Sequence, residues 1–553
     1  MITRNRLRWI PSTSALFVFC IVQARPSIAA QTPSSTKDES SEVRFTIAGT
    51  VLSSSSGTPL DRARVEVSDV RNAQQVVHFI TTEDGHFEFK GLKAGKYNLQ
   101  GAKRGYLTAG YDQHEQYSTA VVTGPEFDTQ NLVLRMTPLA VLSGKVYDEY
   151  GEPVRAAQIA LYVQRTRVGM TRVMHAGNDM TDDQGYFEFP ALAPGEYFLS
   201  ASCTPWYAVH PNTFSEQGTR RPQSNVPQSL DVVYPTTFYN GATDPDAATP
   251  ISVKAGDRVQ ADLHLSPVPT LHLLYRTSEE QQSFSIPSVQ KRVFGFMEQM
   301  TSSGQMISPG LWELTGVPPG RYTVTQQRGA RESTEIVLSE NGQLDLSHAE
   351  PAAQLKLKVN QPPGEPQPKR LFLSLQDSRR QVVVSNTVDS GGRVSFENIA
   401  PGKYSILAGS SERAYTVARM AAQGIDITGH DVTLAPGASL ELNLFLVSGV
   451  VRIEGFVKRG DKPAAGIMVA LVPNPSSNLD MLRRDQSDFD GSFALRGVFP
   501  GSYTIVAIED AWGTEWLQPE ALKRYLRKGQ NLTIGSLMEG LVHLPNPVQV
   551  QPR

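Results

Sequence analysis

The chain has 553 residues, 40% of them apolar and 19% charged, with a formal net charge of −3. That length exceeds one ordinary hydrophobic core, and that composition excludes a disordered chain, so several globular domains are expected. The mildly acidic balance excludes a global attraction to nucleic acid or to anionic lipid surfaces.

The first element is not part of a fold. Arg4, Arg6 and Arg8 precede the apolar run SALFVFCIV and the small-residue tail SIAA. This reads as a secretory signal peptide over residues 1–30, cleaved after Ala30. Its loss removes four arginines and no acid, leaving a formal charge of −7. Bulky Phe19 before Cys20 argues against a lipid anchor there. Cys20 leaves with the peptide, so Cys203 stands alone and no internal disulfide can form. Residues 31–42, QTPSSTKDESSE, read as a polar linker. No later stretch approaches the roughly 18 apolar residues of a membrane helix.

The rest of the chain repeats itself. Gly49 sits in an alternating strand (Ile47, Val51), Pro59 marks a turn and Val65 the next strand; then comes the frame GHFEFKGLKAGKYNLQG at 85–101. The same order returns around Gly144, Pro153 and Ile159, with the frame GYFEFPALAPGEYFLSA at 185–201. A third frame, GLWELTGVPPGRYTVTQ, stands at 310–326 and a fourth, GRVSFENIAPGKYSILA, at 392–408, both with a degenerate opening half. The fifth unit is complete: Gly455, Pro463, Val469 and GSFALRGVFPGSYTIVA at 491–507. In each frame a pair such as Phe87/Phe89 or Trp312/Leu314 has the period of a strand, with Glu88, Glu188 or Ser395 on the other face. A second glycine (Gly95, Gly195, Gly320, Gly402, Gly501) precedes by two residues a tyrosine that opens another strand. The Pro-Gly or Ala-Gly between them predicts a turn in which glycine takes φ > 0. One helix is expected, at the tail: Pro519 in its first turn, Leu522 and Leu526 on one face, Gly529 as its cap.

The order I-x-G-x-V, G-x-P-h-x-x-A-x-V, D-x-x-G-x-F-x-F-x-x-L-x-P-G-x-Y resembles the carboxypeptidase regulatory-like domain. The resemblance implies an all-β chain: a tandem array of about five prealbumin-like, seven-stranded β-sandwiches akin to Cna B-type and starch-binding-like domains. Residues 234–265 and 511–530 are similar to segments of secreted bacterial arrays of this domain. The expected boundaries are 43–137, 138–268 with an insertion at 204–246, 269–349, 350–449 and 450–550.

Catalytic patterns are missing. There is no His-x-x-Glu, no His-Glu-x-x-His and no Gly-x-Ser-x-Gly. Ser34-Ser35-Thr36-Lys37 lies in the linker, Gly91–Lys96 is one residue short of a phosphate loop, and Cys203 lacks a basic neighbour. His114-Glu115 reads as a solvated loop pair. No enzyme, metal or cofactor is expected. Asp488-Phe489-Asp490-Gly491 and Thr181–Gly185 have the oxygens of a calcium turn, but Asp and Gly also make the plain turn that every frame needs. Cna B-type relatives can form Lys–Asn isopeptide bonds; Lys145 and Lys458 lie on first strands, and strand-surface lysines are the plainer reading.

The insertion 204–246 is long and aromatic, and long loops usually carry function. Trp206, Tyr207, Tyr234 and Tyr239, with Asn240 and Asp244, form a candidate carbohydrate site in which rings stack on sugars and polar groups hydrogen-bond them. The alternative is that these aromatics, with Phe238, pin the loop to its own domain. Tyr106, Tyr111 and Tyr117 form a second such group, and neither group is basic enough for nucleic acid. The expected function is an exported, non-enzymatic binding scaffold for polysaccharide, outside the cell, on its surface or in the periplasm. The alternative is an accessory protein acting on cell-envelope proteins through exposed sheet edges.

Overall fold

A computed structural model describes residues 43–553 except 220–225, 277–286, 329, 347, 361–369, 423–424, 428 and 537. The signal peptide, and the linker to residue 42, lie outside the described residues. From Arg44 to the C-terminus the chain forms one compact unit. It holds five β-sandwiches, each with its own core, and a single α-helix, Pro519–Leu526, among the described residues. The all-β array with one short helix is therefore the observed fold. Leu522 is buried on that helix, on the face that the spacing predicts.

One pairing scheme builds every sandwich. The first strand pairs antiparallel with the Phe-x-Phe strand of the frame and parallel with the last strand of its own domain. In the three complete repeats the first-strand glycine stands opposite the frame's first aromatic: Gly49 on Phe87, Gly144 on Phe187, Gly455 on Phe493. A Cβ on Gly144 would lie 2.1 Å from the Ala261 carbonyl oxygen and 2.9 Å from the Phe187 ring. The ring and the last strand occupy the space that a side chain would take. Repeats 3 and 4 solve the same volume differently, with Tyr275 opposite Trp312 and Leu357 opposite Val394. This is why their opening halves are degenerate in sequence.

The frame's turn corrects one expectation. Positive φ falls on its first glycine, from 71° to 77° at Gly85, Gly185, Gly310, Gly392 and Gly491, whereas Gly95, Gly195 and Gly320 are not among the positive-φ residues. The second glycine makes room for the tyrosine two residues on; at Gly320 a Cβ would sit 3.0 Å from Tyr322 Oη. All five tyrosines are buried. Each hydroxyl donates to the carbonyl four residues back: Tyr97 to Lys93 (3.0 Å), Tyr197 to Ala193 (2.7 Å), Tyr322 to Pro318 (2.7 Å), Tyr404 to Ala400 (2.7 Å) and Tyr503 to Phe499 (2.8 Å). The phenol thus satisfies a carbonyl of the connection, which in sandwich 1 also accepts from the Thr123 hydroxyl at 2.7 Å.

The sandwiches are not independent beads. The first and fifth meet face to face. Lys96 Nζ lies 2.6 Å from Asp488 Oδ2, Ala120 N–H donates to Asp488 Oδ1 (3.0 Å) and Phe489 N–H donates to the Ala120 carbonyl (3.0 Å). Asp488 thus does more than make its turn, and its carboxylate oxygens are occupied by sandwich 1. Asp182 keeps the simpler role, accepting from the N–H groups of Gln184 and Tyr186. His114 and Glu115 are not solvated: His114 stacks on Trp512 at 5.5 Å and Glu115 forms a two-pronged pair with Arg484 at 2.8 and 3.2 Å. Tyr117 packs on the same Trp512, while Tyr106 and Tyr111 face the core of sandwich 1.

Candidate functional site

The insertion leaves sandwich 2 after the strand Gly195–Ser202 and runs over the neighbouring sandwich. Trp206 is 90% exposed and meets Tyr207 edge-to-face, with ring centroids 5.8 Å apart. The Tyr207 hydroxyl donates to Glu149, and the buried Tyr234 donates to the other carboxylate oxygen of Glu149 at 2.7 Å. Burial would raise the Glu149 carboxyl, but the two phenols pull it below its ordinary value. In return burial and that carboxylate push Tyr207 up to about 12, and Tyr234 is raised for the same reasons. The Tyr207 ring against which the indole leans is therefore a fixed post.

The six residues expected to form a site do not converge as one. Trp206, Tyr207 and Tyr234 gather around Glu149. Tyr239 is half-buried against the core of sandwich 2, and Asn240 follows it in the left-handed conformation, φ 67°. Asp244 is exposed and caps the short turn Pro245–Ala247, accepting from Asp246 N–H at 3.0 Å. Its neighbourhood is that of Lys291 of sandwich 3, which donates to the Thr243 carbonyl at 2.7 Å and feels the Asp244 charge. Phe238 is fully buried beside Tyr162, Phe198 and Phe294, and pins the insertion to both sandwiches. The pinning role and the open ring thus belong to different aromatics of one loop.

A cleft of about 910 Å³ lies between sandwiches 2 and 3; Tyr234 lines it, whereas Trp206 and Tyr207 do not. Its lining includes Tyr162, His175, Asn178, Asp179, Tyr234 and Glu298, and it reaches Cys203 and Thr204, where the insertion begins. Tyr162 donates to Glu298 across the cleft, and His175 is 2.9 Å from Asn178 Oδ1. Burial raises the Cys203 thiol, so it stays protonated. The lining offers carboxylates, amides and hydroxyls together with ring faces and contains no lysine or arginine.

A buried polar chain holds the insertion in place, and the sequence reading missed it. His272, on the strand Leu271–Arg276, places Nδ1 2.7 Å from Glu313 Oε1 and Nε2 2.7 Å from Asp231 Oδ2. Thr213 donates to Glu313 through its N–H (2.9 Å) and hydroxyl (2.8 Å). Burial would lower the imidazole pKa, but two carboxylates raise it; burial would raise Glu313, but its donors lower it. Glu313 is the frame position that carries exposed or half-exposed Glu88, Glu188 and Ser395 in other repeats. Here it is fully buried because Phe214 and its neighbours cover the outer face of sandwich 3. The available signal was His272, a polar residue at a core-like place in an otherwise apolar strand.

Two stretches of the chain match known domain families. Residues 46–135 match the carboxypeptidase regulatory-like domain. That match covers most of the first sandwich. Residues 443–521, most of the fifth, match the second β-sandwich domain of the BOS complex subunit NOMO1-like family. Regulatory-like domains are a non-catalytic kind of fold. Colossin-A of Dictyostelium discoideum is 30% identical over 150 residues, which are 24% of this chain and 1% of that protein. This chain thus spans about one-hundredth of the curated relative it matches. Among solved structures, the Bacillus anthracis TIE protein is similar at 12% identity and TM-score 0.18, covering 74% of this chain and 76% of that one. The major pilin subunit BcpA of Bacillus cereus is similar at 10% identity and TM-score 0.14, covering 73% and 99%. No helix among the described residues is long and apolar enough to cross a membrane.

Proposed function

We propose that the protein is an exported, non-enzymatic scaffold that binds polysaccharide through the exposed Trp206 and the cleft between sandwiches 2 and 3. The observation that carries the reading is the exposed indole. It leans edge-on against Tyr207, whose hydroxyl Glu149 anchors, and its ring faces are open for stacking on a sugar. The cleft lined by Tyr234 supplies the hydroxyl, amide and carboxylate partners that sugars need and no cation that would favour acidic glycans. The test is a glycan array with purified residues 31–553, followed by titration read in tryptophan fluorescence. Binding that Trp206→Ala abolishes supports the reading; an array without signal removes it.

A second reading is favoured by the strand Asn72–Ile80, which lies at the edge of its sheet and is exposed along most of its length. Val76, Val77 and Ile80 are exposed on it, which suits a protein partner that adds a strand. Retention of an envelope protein that is lost on Val77→Lys, with no glycan binding, would put this reading first.

A further inference from the structure

A separate cavity of about 820 Å³ lies where sandwiches 2, 4 and 5 meet. One wall is the tip of the hairpin formed by the strands Gln158–Arg167 and Met170–Met180. Val168 and Gly169 at that tip both have positive φ, 50° and 65°. For a β-branched residue this is a strained conformation, and the packing of Val168 near Trp516 offsets it. The other walls are Arg380 of sandwich 4, the segment Ser476–Leu479 and the C-terminal helix.

The lining divides by chemistry. Met170, Leu479, Leu517, Leu522 and Leu526 make an apolar floor. Arg380, Lys523 and Arg527 are its charged residues, Ser476, Ser477 and Gln518 add donors, and no lining residue is a carboxylate. A fourth cation backs Arg380: Arg172 donates to the Arg380 carbonyl at 3.0 Å, and both guanidinium groups reach the Met170 sulfur, at 3.7 and 3.4 Å. The guanidinium hydrogen bonds of this pair thus end on a carbonyl and a thioether. Burial and the Arg172 charge together lower the Arg380 pKa. Arginine does not lose its proton in proteins, so two like charges stay pressed together at a half-buried place. An anion in the cavity would relieve that repulsion and take charge-assisted hydrogen bonds. A floor of leucines is of no use to a bare inorganic ion. The volume is that of a site for a molecule of ordinary ligand size.

We propose that this junction binds an amphiphilic anion, a phosphate or carboxylate head on a hydrocarbon chain, with the head at Arg380, Lys523 and Arg527 and the chain on the leucine floor. The site is independent of the carbohydrate reading and stands or falls without it. The test is calorimetric titration of the purified full chain with dodecyl phosphate and with laurate, each below its micellar concentration. Dodecyl maltoside and inorganic phosphate are the comparison probes. Saturable binding of both anionic amphiphiles is expected, at least tenfold tighter than either comparison probe. Arg380→Gln and Arg527→Gln should each weaken it about tenfold. Arg380→Gln removes one of two repelling charges and should melt no lower than the parent; Arg527 is exposed, so its variant folds in any case. Absence of binding by the anions overturns the proposal. So does equal affinity for dodecyl maltoside, which would leave only an apolar groove, and so does equal affinity for inorganic phosphate, which would leave only a head site. Unchanged affinity in both variants overturns it as well.

Discussion

Removing the Glu115 carboxylate should uncouple the first sandwich from the fifth. The Glu115–Arg484 pair spans 369 residues of sequence, is two-pronged, and leaves only 11% and 4% of its side chains exposed. Breaking a buried pair from one side costs about 3–5 kcal/mol, because the remaining charge stays desolvated. Arg484 keeps its place over the Trp512 and Tyr117 rings, 5.5 and 5.7 Å from their centroids. Cation–π attraction should return about 1 kcal/mol of that. Glu115→Ala should therefore weaken the junction by about 3 kcal/mol, by combining those two magnitudes. Neither sandwich core should change, since Glu115 belongs to neither. In scanning calorimetry the parent should melt sandwiches 1 and 5 in one transition, and the variant should split it. A double-mutant cycle with Arg484→Met should give a coupling energy of at least about 1.5 kcal/mol. The carboxyl is held below its ordinary value by Arg484, against burial. Its contribution is therefore present above the unfolded pKa of about 4.3 and is lost as pH falls through the lower folded value. A coupling energy near zero, with an unsplit transition, would refute the closed junction.

Tyr322→Phe should cost about 1 kcal/mol, the net value of one hydrogen bond, with similar losses at Tyr197, Tyr404 and Tyr503 and a smaller one at Tyr97, whose acceptor keeps the Thr123 hydroxyl. Tyr275→Phe should cost nothing or stabilise, because the buried Tyr275 hydroxyl has no hydrogen-bond partner among the described residues; urea melts of the two variants compare them directly. Gly144→Ala should destabilise sandwich 2 by about 3 kcal/mol through collision with the Ala261 carbonyl and the Phe187 ring, read as an earlier melting transition. The clasp of the insertion on sandwich 3 should loosen at alkaline pH. His272 has a raised folded pKa, so its contribution is complete below the unfolded value of about 6.5 and fades as pH rises through the folded one. The protection factor of Thr213 N–H, the intrinsic base-catalysed exchange rate divided by the observed one, should fall across that range, and His272→Gln should make that factor independent of pH.

The sandwich was legible because its core is periodic. Phe187, Phe189, Tyr197 and Leu199 alternate along two strands, and each inward position is filled by the same physical demand in every repeat. The turn glycine was equally legible, since only one residue type takes φ near 70° without strain. The role of the second glycine was not, because spacing alone does not distinguish a turn from room made for a ring. At the candidate site, an aromatic loop was legible from composition. Which of its rings would face solvent was not. Trp206 and Phe238 are both large aromatics in one insertion, and only the position of sandwich 3 separates their fates.

Contacts between sandwiches escaped for a deeper reason. A strand's own core requires a period of two, and that pattern appears in any window of the chain. A junction requires only complementarity between two surfaces that are each polar enough to stand in water. Asp488 opens a frame turn as Asp182 does, and its sequence neighbourhood contains nothing that names Lys96. Glu313 sits where Glu88 and Glu188 face outward, and only the insertion covering it turns the same residue into a buried clasp. In a chain made of repeats, the informative positions are therefore those where one copy breaks the shared pattern without harming its own core. His272 among leucines, the half-buried Arg380 beside a second arginine and the exposed Trp206 are three such positions here. The first lies where a neighbouring segment completes the surface, and the other two are the positions at which the ligand tests are aimed.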